Sequence, residues 1–390
     1  MAKTNYTCGI DIGTHTTRVV VVSSDKEGMP EVLATGQAAT NGVRLGYINN
    51  IDHVVTSIKE AVGQAEKTLG VKIRRAFVSI GGISLGSALS AGSAIISKAD
   101  QEVTRLDISK ALGDSEENLD TLNKKIIHII PLSYKLDGHD IHGRPEGMHG
   151  AKLEVKTLFI TCLKQNIEDL ITALALANIE ALDVIASPIA TSMVLLSQKQ
   201  KAAGCALIDI GAETVSIAVF ENSLLISLQV FSIGSMDITK DVALGFKIAL
   251  EEAESVKLGS VLSGDFPKKK VDEIIEARLV DIFELVGNHL KRLRRNELLP
   301  AGVVITGGGS HAQHIEEIAK AQLKLPARVG PADVNLNARF KIRNASWYTA
   351  LGLALASSEE SSLGDIHNSI GDNVKQVRGF FKSLLSQLLP

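Results

Sequence analysis

Two short stretches put a carboxylate, a glycine and hydroxyls where one apolar run turns into another: GIDIGTHTTR at residues 9–18 and LIDIGAET at residues 207–214. In each, the apolar run ends in an aspartate, Asp11 or Asp209, and a glycine stands two residues on, Gly13 or Gly211. Glycine permits a tight turn and leaves backbone N–H groups free to approach an anion closely. Thr14, Thr16, Thr17 and Thr214 add hydroxyl donors, with His15 in the first loop and Glu213 in the second. Two such turns facing each other would grip a triphosphate from both sides, and the two aspartates would hold Mg²⁺ through its waters. One copy alone reads as an ordinary hairpin with a glycine. Two copies plus a third glycine turn favour a nucleotide.

That third turn is TGGGS, Thr306 to Ser310, after an apolar run and before a helical pattern. Gly307, Gly308 and Gly309 let backbone lie against a ribose or phosphate at the start of a helix, with Ser310 counted beside them as a nucleotide contact. Gly234, in SIGSMDITKDVA, is a fourth candidate. Glu254 and Lys257 share one helical face and reach either for an adenosine edge or only for each other as a solvated ion pair.

The elements that must position these residues alternate. YTCGIDI, TRVVVVSS and EVLATGQA read as three strands around the first turn. NIDHVVTSIKEAVGQAEKTLG has its apolar positions at helical spacing, and RRAFVSIGG is a strand ending in two glycines. The second half repeats the plan with AGCALIDI, VSIAVFEN and LLISLQVFSIG, then helices, then AGVVITGGGSHAQHIEEIAKAQL. A duplicated strand-turn-strand-strand unit with helices implies two similar α/β lobes around a cleft. Between about Ile83 and Cys162 a polar helical stretch lies among strand-like pieces, which marks a small inserted α+β unit.

The 390 residues suffice for two or three domains, and 45% hydrophobic with 22% charged residues is an ordinary folded composition. A net charge of −3 gives no field for capturing nucleic acid. Cys8, Cys162 and Cys205 sit in or beside apolar runs without C-x-x-C spacing and read as buried small hydrophobes of a reducing compartment. No secretion signal and no bilayer-spanning apolar run is visible. His128, His139, His142 and His149 match no closed zinc pattern, so a metal there is not expected.

On these motifs the chain resembles the actin, Hsp70 and sugar-kinase superfamily. GIDIGTHTT and LIDIGAET are similar to its two phosphate loops, VVITGGGS to its adenosine loop, and SPIATSMVLL and SWYTALGLALA to its connecting segments. Within it, IIHIIPLSYKLDGHDIHGRPEGMHGAKLEVKTLFIT resembles the end of the inserted subdomain 1C of the bacterial FtsA family, and the resemblance runs essentially end to end. It implies an α/β fold of actin-like duplicated lobes around a nucleotide cleft, with inserted subdomain 1C and a C-terminal amphipathic helix. The implied division is subdomain 1A at 1–82 and 163–200, 1C at 83–162, 2A at 201–235 and 301–356, 2B at 236–300, a flexible linker at 357–373 and the helix at 374–390. The family binds ATP with Mg²⁺, polymerises on the inner face of the membrane and anchors FtsZ there, so the resemblance implies a cytoplasmic, membrane-peripheral protein of the division site with at most weak ATPase activity. It also implies self-association into filaments, possibly double, and downstream divisome partners on 1C. The chain departs from the pattern where Ala212 and Glu213 interrupt a glycine run, at His15, and at Ser235 and Met236; these changes bear on hydrolysis more than on binding.

Two further features concern partners. NVKQVRGFFKSLLSQLLP has an apolar stripe through Val377, Phe380, Phe381, Leu384, Leu385 and Leu388, with Arg378 and Lys382 on its basic side. After a Ser- and Gly-rich stretch, this suits a helix lying in an anionic membrane surface; the alternative is a last helix docked on the body. DEIIEARLVDIFELVGNHLKRLRR reads as a long amphipathic helix, either a packed surface helix or, through the resemblance, the receiver of the FtsZ C-terminal tail with Arg278 and Asp281 in contact. The competing readings are a PilM-like pilus-assembly protein and a small-molecule kinase of the same fold. The kinase reading has no assignable general base and leaves the terminal stripe without a role.

Overall fold

The computed structural model describes residues 6–24, 30–260, 266–331 and 344–356. The proposed linker at 357–373 and the amphipathic segment at 374–390, including Val377, Arg378, Phe380, Phe381, Lys382, Leu384, Leu385 and Leu388, lie outside the described residues.

In the first lobe, β1 (Tyr6–Ile12), β2 (Thr16–Ser24) and β3 (Pro30–Ala39) form an antiparallel meander. A small hairpin, β4 (Val43–Arg44) and β5 (Tyr47–Ile48), leads into α1 (Ile51–Leu69). Asn50 caps α1 by accepting from the His53 N–H, and Gly70 ends it in the left-handed region at φ 77°. The apolar face of α1, with Val54, Ile58, Ala61 and Ala65, is buried on β3. Gly36 is required there, because a Cβ would overlap the Ala61 carbonyl. Next, β6 (Arg75–Ile80) adds parallel to β1.

The inserted unit is β7 (Gly86–Ile95), α2 (Arg105–Glu117), β8 (Lys124–Leu136), β9 (His139–Ile141) and β10 (Lys152–Leu163). The chain returns through α3 (Lys164–Leu176), β11 (Glu180–Ala186) and α4 (Ser187–Leu195), then α5 (Gln198–Ala203). The second lobe repeats the meander as β12 (Cys205–Ile210), β13 (Val215–Glu221) and β14 (Leu224–Phe231). Helices α6 (Ser235–Phe246), α7 (Leu250–Lys257) and α8 (Lys268–Arg292) follow. Then come β15 (Val303–Thr306), α9 (Ile315–Leu323), β16 (Ala327–Val329) and α10 (Tyr348–Leu355).

Strand order shows the duplication directly. The first sheet runs β11-β6-β1-β2-β3, and the second begins β16-β15-β12-β13-β14, the same order with the same parallel and antiparallel pairs. The second sheet then continues through β7-β10-β8-β9. The inserted unit is thus joined to the second lobe, although sequence places it within the first. Gln229 pairs with Gly86, and the Ser87 hydroxyl donates to the Leu228 carbonyl while accepting the Leu228 N–H. The unit keeps a small core of its own around Val103, Ala111, Tyr134, Leu153 and Val155. Buried α10 lies against β1 and α4 so closely that a Cβ on Gly9 would overlap α10 backbone, and one on Gly352 the Ala190 carbonyl.

Among the described residues no three metal-ligating side chains come together, and no helix is long and apolar enough to cross a membrane. His128 is buried and accepts the Ala186 N–H at 3.1 Å; burial pushes its imidazole down to about 3. The three cysteines are buried and free, and burial raises each thiol.

Candidate functional site

The two Asp-x-Gly turns face each other across a cavity of about 490 Å³ between the lobes. Each turn has the same internal bond. Gly13 N–H donates to the Thr16 carbonyl at 3.2 Å, and Gly211 N–H to the Thr214 carbonyl at 2.8 Å. Asp11, Gly13, Thr14 and His15 line one wall, and Asp209, Gly211 and Thr214 line the other. The glycine turn after β15 supplies Gly307, Gly308 and Gly309, while Glu254 and Lys257 of α7 stand further along the same cavity.

The floor is a charge cluster set by strand register. Asp11 pairs with Arg18 across the first hairpin, and the Ser79 hydroxyl of neighbouring β6 donates to Asp11 Oδ1 at 2.7 Å. In the second lobe Asp209 pairs with Ser216, and Thr306 of neighbouring β15 stands beside it. Burial raises Asp11, against the pull of Ser79 and Arg18. Burial first, then the charge of Asp11, push the Asp209 carboxyl up to about 7, with Arg18 opposing. Burial lowers Arg18, and the two aspartates hold it up. Its guanidinium also stands 5.7 Å from the Trp347 ring centre. Arg18 Nε and Thr306 Oγ1 are buried without a hydrogen-bond partner. An anion would satisfy the unpaired N–H, and a cation would relieve the two carboxylates, so this donor set fits a phosphate chain with Mg²⁺.

Glu254 and Lys257 form an ion pair at 2.6 Å, and Thr239 donates to Glu254 at 2.5 Å while accepting from Lys257 at 2.8 Å. Burial alone would raise Glu254; the bonds from Lys257 and Thr239, helped by His15 across the cleft, bring it below its ordinary value. Gly307 adopts φ 90°, and a Cβ there would overlap Asp209, whereas Gly308 faces open space.

Three expected residues stand one layer behind the cavity. Glu213 turns its carboxylate away, and Oε2 accepts the Leu45 N–H at 2.6 Å. Gly234 caps α6, with its N–H donated to Asp237 at 2.9 Å and no room for a Cβ against Ala212. Ser310 is buried and donates to the Gly307 carbonyl at 2.7 Å, so it shapes the turn from behind. Conversely Arg18, Ser79, Ser235 and Met236 line the cavity. Arg18 is the clearest omission, and its signal was a lone charge in TTRVVVV placed opposite Asp11. On the outer face, Arg278 of α8 makes two bonds to Asp241 of α6, at 2.7 and 3.0 Å, and pairs with Asp281 at 3.2 Å.

A family model described as "Cell division protein FtsA" matches residues 206–352, and one described as "SHS2 domain inserted in FTSA" matches residues 82–161. Cell division protein FtsA of Pseudomonas aeruginosa is 28% identical over 91% of this chain and 90% of its own length. That of Bacillus subtilis is 29% identical over 88% and 81%. Among solved structures, a chain of a PilM-PilN type IV pilus biogenesis complex superposes with a TM-score of 0.69 at 17% identity, covering 90% of this chain and 98% of that one. MreB5 of Spiroplasma citri bound to ADP gives 0.53 at 12% identity, covering 93% and 99%. These structures share the actin-like fold, and both family models and the relatives name one branch of it: the chain belongs to the FtsA family of cell-division proteins.

Proposed function

We propose that the chain binds ATP with Mg²⁺ between its lobes, polymerises on the inner face of the cell membrane at the division site and tethers FtsZ filaments there. The observation that carries the nucleotide reading is the pair of register-matched Asp-x-Gly turns facing one cavity over the cluster of Asp11, Asp209 and Arg18. Backbone N–H groups of the two turns past Gly13 and Gly211, whose own N–H groups close the turns, and the hydroxyls of Thr14 and Thr214 would receive the phosphates, with Arg18 beneath them. Asp11 and Asp209 would hold Mg²⁺ through its waters; when bound, the ion neutralises phosphate charge. Gly307 to Gly309, Glu254 and Lys257 would take the adenosine side. That Spiroplasma MreB5, of the same fold, has been solved bound to ADP supports a nucleotide ligand. Turnover is at most weak in this reading, because Ala212 and Glu213 interrupt the glycine run of the second turn.

The FtsZ C-terminal tail would dock on the α6–α8 face around Arg278 and Asp281, and later divisome proteins on the inserted unit. Residues 374–390 would lie in the anionic membrane surface, and side-by-side subunits in a filament would multiply a weak single attachment. Co-sedimentation with anionic liposomes tests the whole reading, comparing the full chain with one ending near Asp372, with and without Mg-ATP and an FtsZ tail peptide. The full chain should pellet, more so with Mg-ATP, and carry the peptide with it. A full chain that stays in the supernatant under every condition refutes the tether.

A further inference from the structure

We propose that Glu213 is a positioning residue, a strut from the second phosphate turn to the first lobe that sets how long the cleft stays closed on a bound nucleoside triphosphate; the inference rests on the nucleotide reading above. Its neighbours Ala212 and Thr214 line the cavity, but the Glu213 carboxylate leaves it and accepts the Leu45 N–H at 2.6 Å. The contact joins positions 168 apart in sequence, one in each lobe. A carboxylate accepting a backbone N–H at this distance makes a charge-assisted bond, stronger than a neutral one. Turned this way, the side chain also keeps a negative charge from facing the phosphates.

Both ends of the strut are held. Leu45 is at the tip of the β4–β5 hairpin in a left-handed conformation, φ 51°. Its carbonyl accepts the Ile83 N–H at 3.3 Å, and Gly46 and Gly82 touch backbone to backbone, with no room for a Cβ on Gly46. That fixes the Leu45 N–H as a donor presented to the other lobe. Gly46 and Gly82 themselves line the cavity. On the second lobe, the Ser235 N–H donates to the Gly211 carbonyl at 2.9 Å and the Met236 N–H to the Ala212 carbonyl at 2.8 Å. Gly234 presses on the backbone of Ala212 and Glu213 from behind. The turn that would hold phosphate and the hairpin of the opposite lobe are therefore two stiff pieces joined by one side chain. Separating the two turns to release a ligand must break the Glu213–Leu45 bond, whereas the β7–β14 contact through Ser87 and Leu228 lies elsewhere and need not break.

Losing a hydrogen bond to a charged group at the closed cleft should speed release about tenfold or more. The test uses the full chain as Glu213→Ala and Glu213→Gln, with two readouts: hydrogen exchange at the Leu45 amide without nucleotide, and release of a fluorescent ATP analogue with Mg²⁺. The Ala variant should accelerate both by about tenfold. The Gln variant keeps an acceptor oxygen and should restore most of both. Unchanged Leu45 exchange in the Ala variant overturns the strut, as does bound analogue released at the parent rate. A Gln variant that protects Leu45 but releases as fast as Ala overturns it too, because the Leu45 bond then does not set the release rate. Failure of the parent chain to bind any analogue refutes the nucleotide reading, and the timing role with it, a result distinct from binding with unaltered release.

Discussion

Replacing Asp209 by Asn should stabilise the nucleotide-free protein, although the residue is proposed to serve ligand binding. Burial, reinforced by Asp11, carries the Asp209 carboxyl from 3.8 to about 7. Three pH units correspond to about 4 kcal/mol between protonation states. Because Asp209 is half-buried and borders an open cleft, water screens part of this, and about 2 kcal/mol is the working figure. The unfolded carboxyl releases its proton near pH 4 and the folded one near 7, so between these values the folded state binds more protons. Stability associated with this group is therefore complete below about pH 4 and lost as the pH rises through 7. Asn cannot ionise, so the variant should exceed the parent by about 2 kcal/mol at pH 8, with the gap shrinking toward pH 5. Urea unfolding in EDTA at both pH values measures it, with the single tryptophan, Trp347, as the fluorescent signal. Adding Mg-ATP should reverse the order, since the parent alone retains both carboxylates. An Asn variant no more stable than the parent at pH 8, or a gap equal at both pH values, would mean that ionising Asp209 costs the folded protein nothing.

Arg18→Gln should weaken ATP binding about tenfold or more, and should abolish the change in Trp347 emission on nucleotide addition, both read in one fluorescence titration. Removing divalent cations with EDTA should weaken ATP binding in the parent by about tenfold or more, measured by calorimetry, because Arg18 alone cannot neutralise two aspartates and a triphosphate. Gly352→Val should cost about 1–3 kcal/mol in urea unfolding, since its side chain must enter the backbone contact between α10 and α4.

Local chemistry was legible. Each strand of the two meanders is a short apolar run with a turn signal at its end, so YTCGIDI and CALIDI coincide with β1 and β12. Helix α1 carries its own caps in its sequence, Asn50 and Gly70. What sequence hid was the partner each polar group would take, near or far along the chain. Glu213 reads as a phosphate-loop residue because its neighbours are, yet Leu45 claims its carboxylate. Ser310 was read as part of the glycine turn's open face, yet its hydroxyl closes on Gly307. Continuity of the inserted sheet with the second lobe rests on the Gln229–Gly86 pair and the two Ser87–Leu228 bonds, which no periodicity announces.

The duplication makes the asymmetry of the floor informative. Asp11 and Asp209 occupy equivalent strand ends, and Ser79 and Thr306 stand on equivalent neighbouring strands. Opposite the aspartates, however, the first hairpin carries Arg18 and the second Ser216. One cation therefore answers two carboxylates, and the shortfall falls on the lobe without it. Asp209 is the carboxyl driven up to about 7, while Ser79 and Arg18 both act to hold Asp11 down. The hydroxyls differ in the same sense: Ser79 is bonded to its aspartate, whereas Thr306 Oγ1 is buried with no partner. A scaffold duplicated strand for strand thus has one aspartate answered by its own lobe and one that awaits a charge from outside, while Arg18 Nε on the first lobe and Thr306 Oγ1 on the second are both buried without a partner. That is the physical condition under which ligand binding, rather than folding, completes the site. The strut from Glu213 starts on the incomplete half, so the turn with most to gain from a bound cation and phosphate is also the one tied to the opposite lobe.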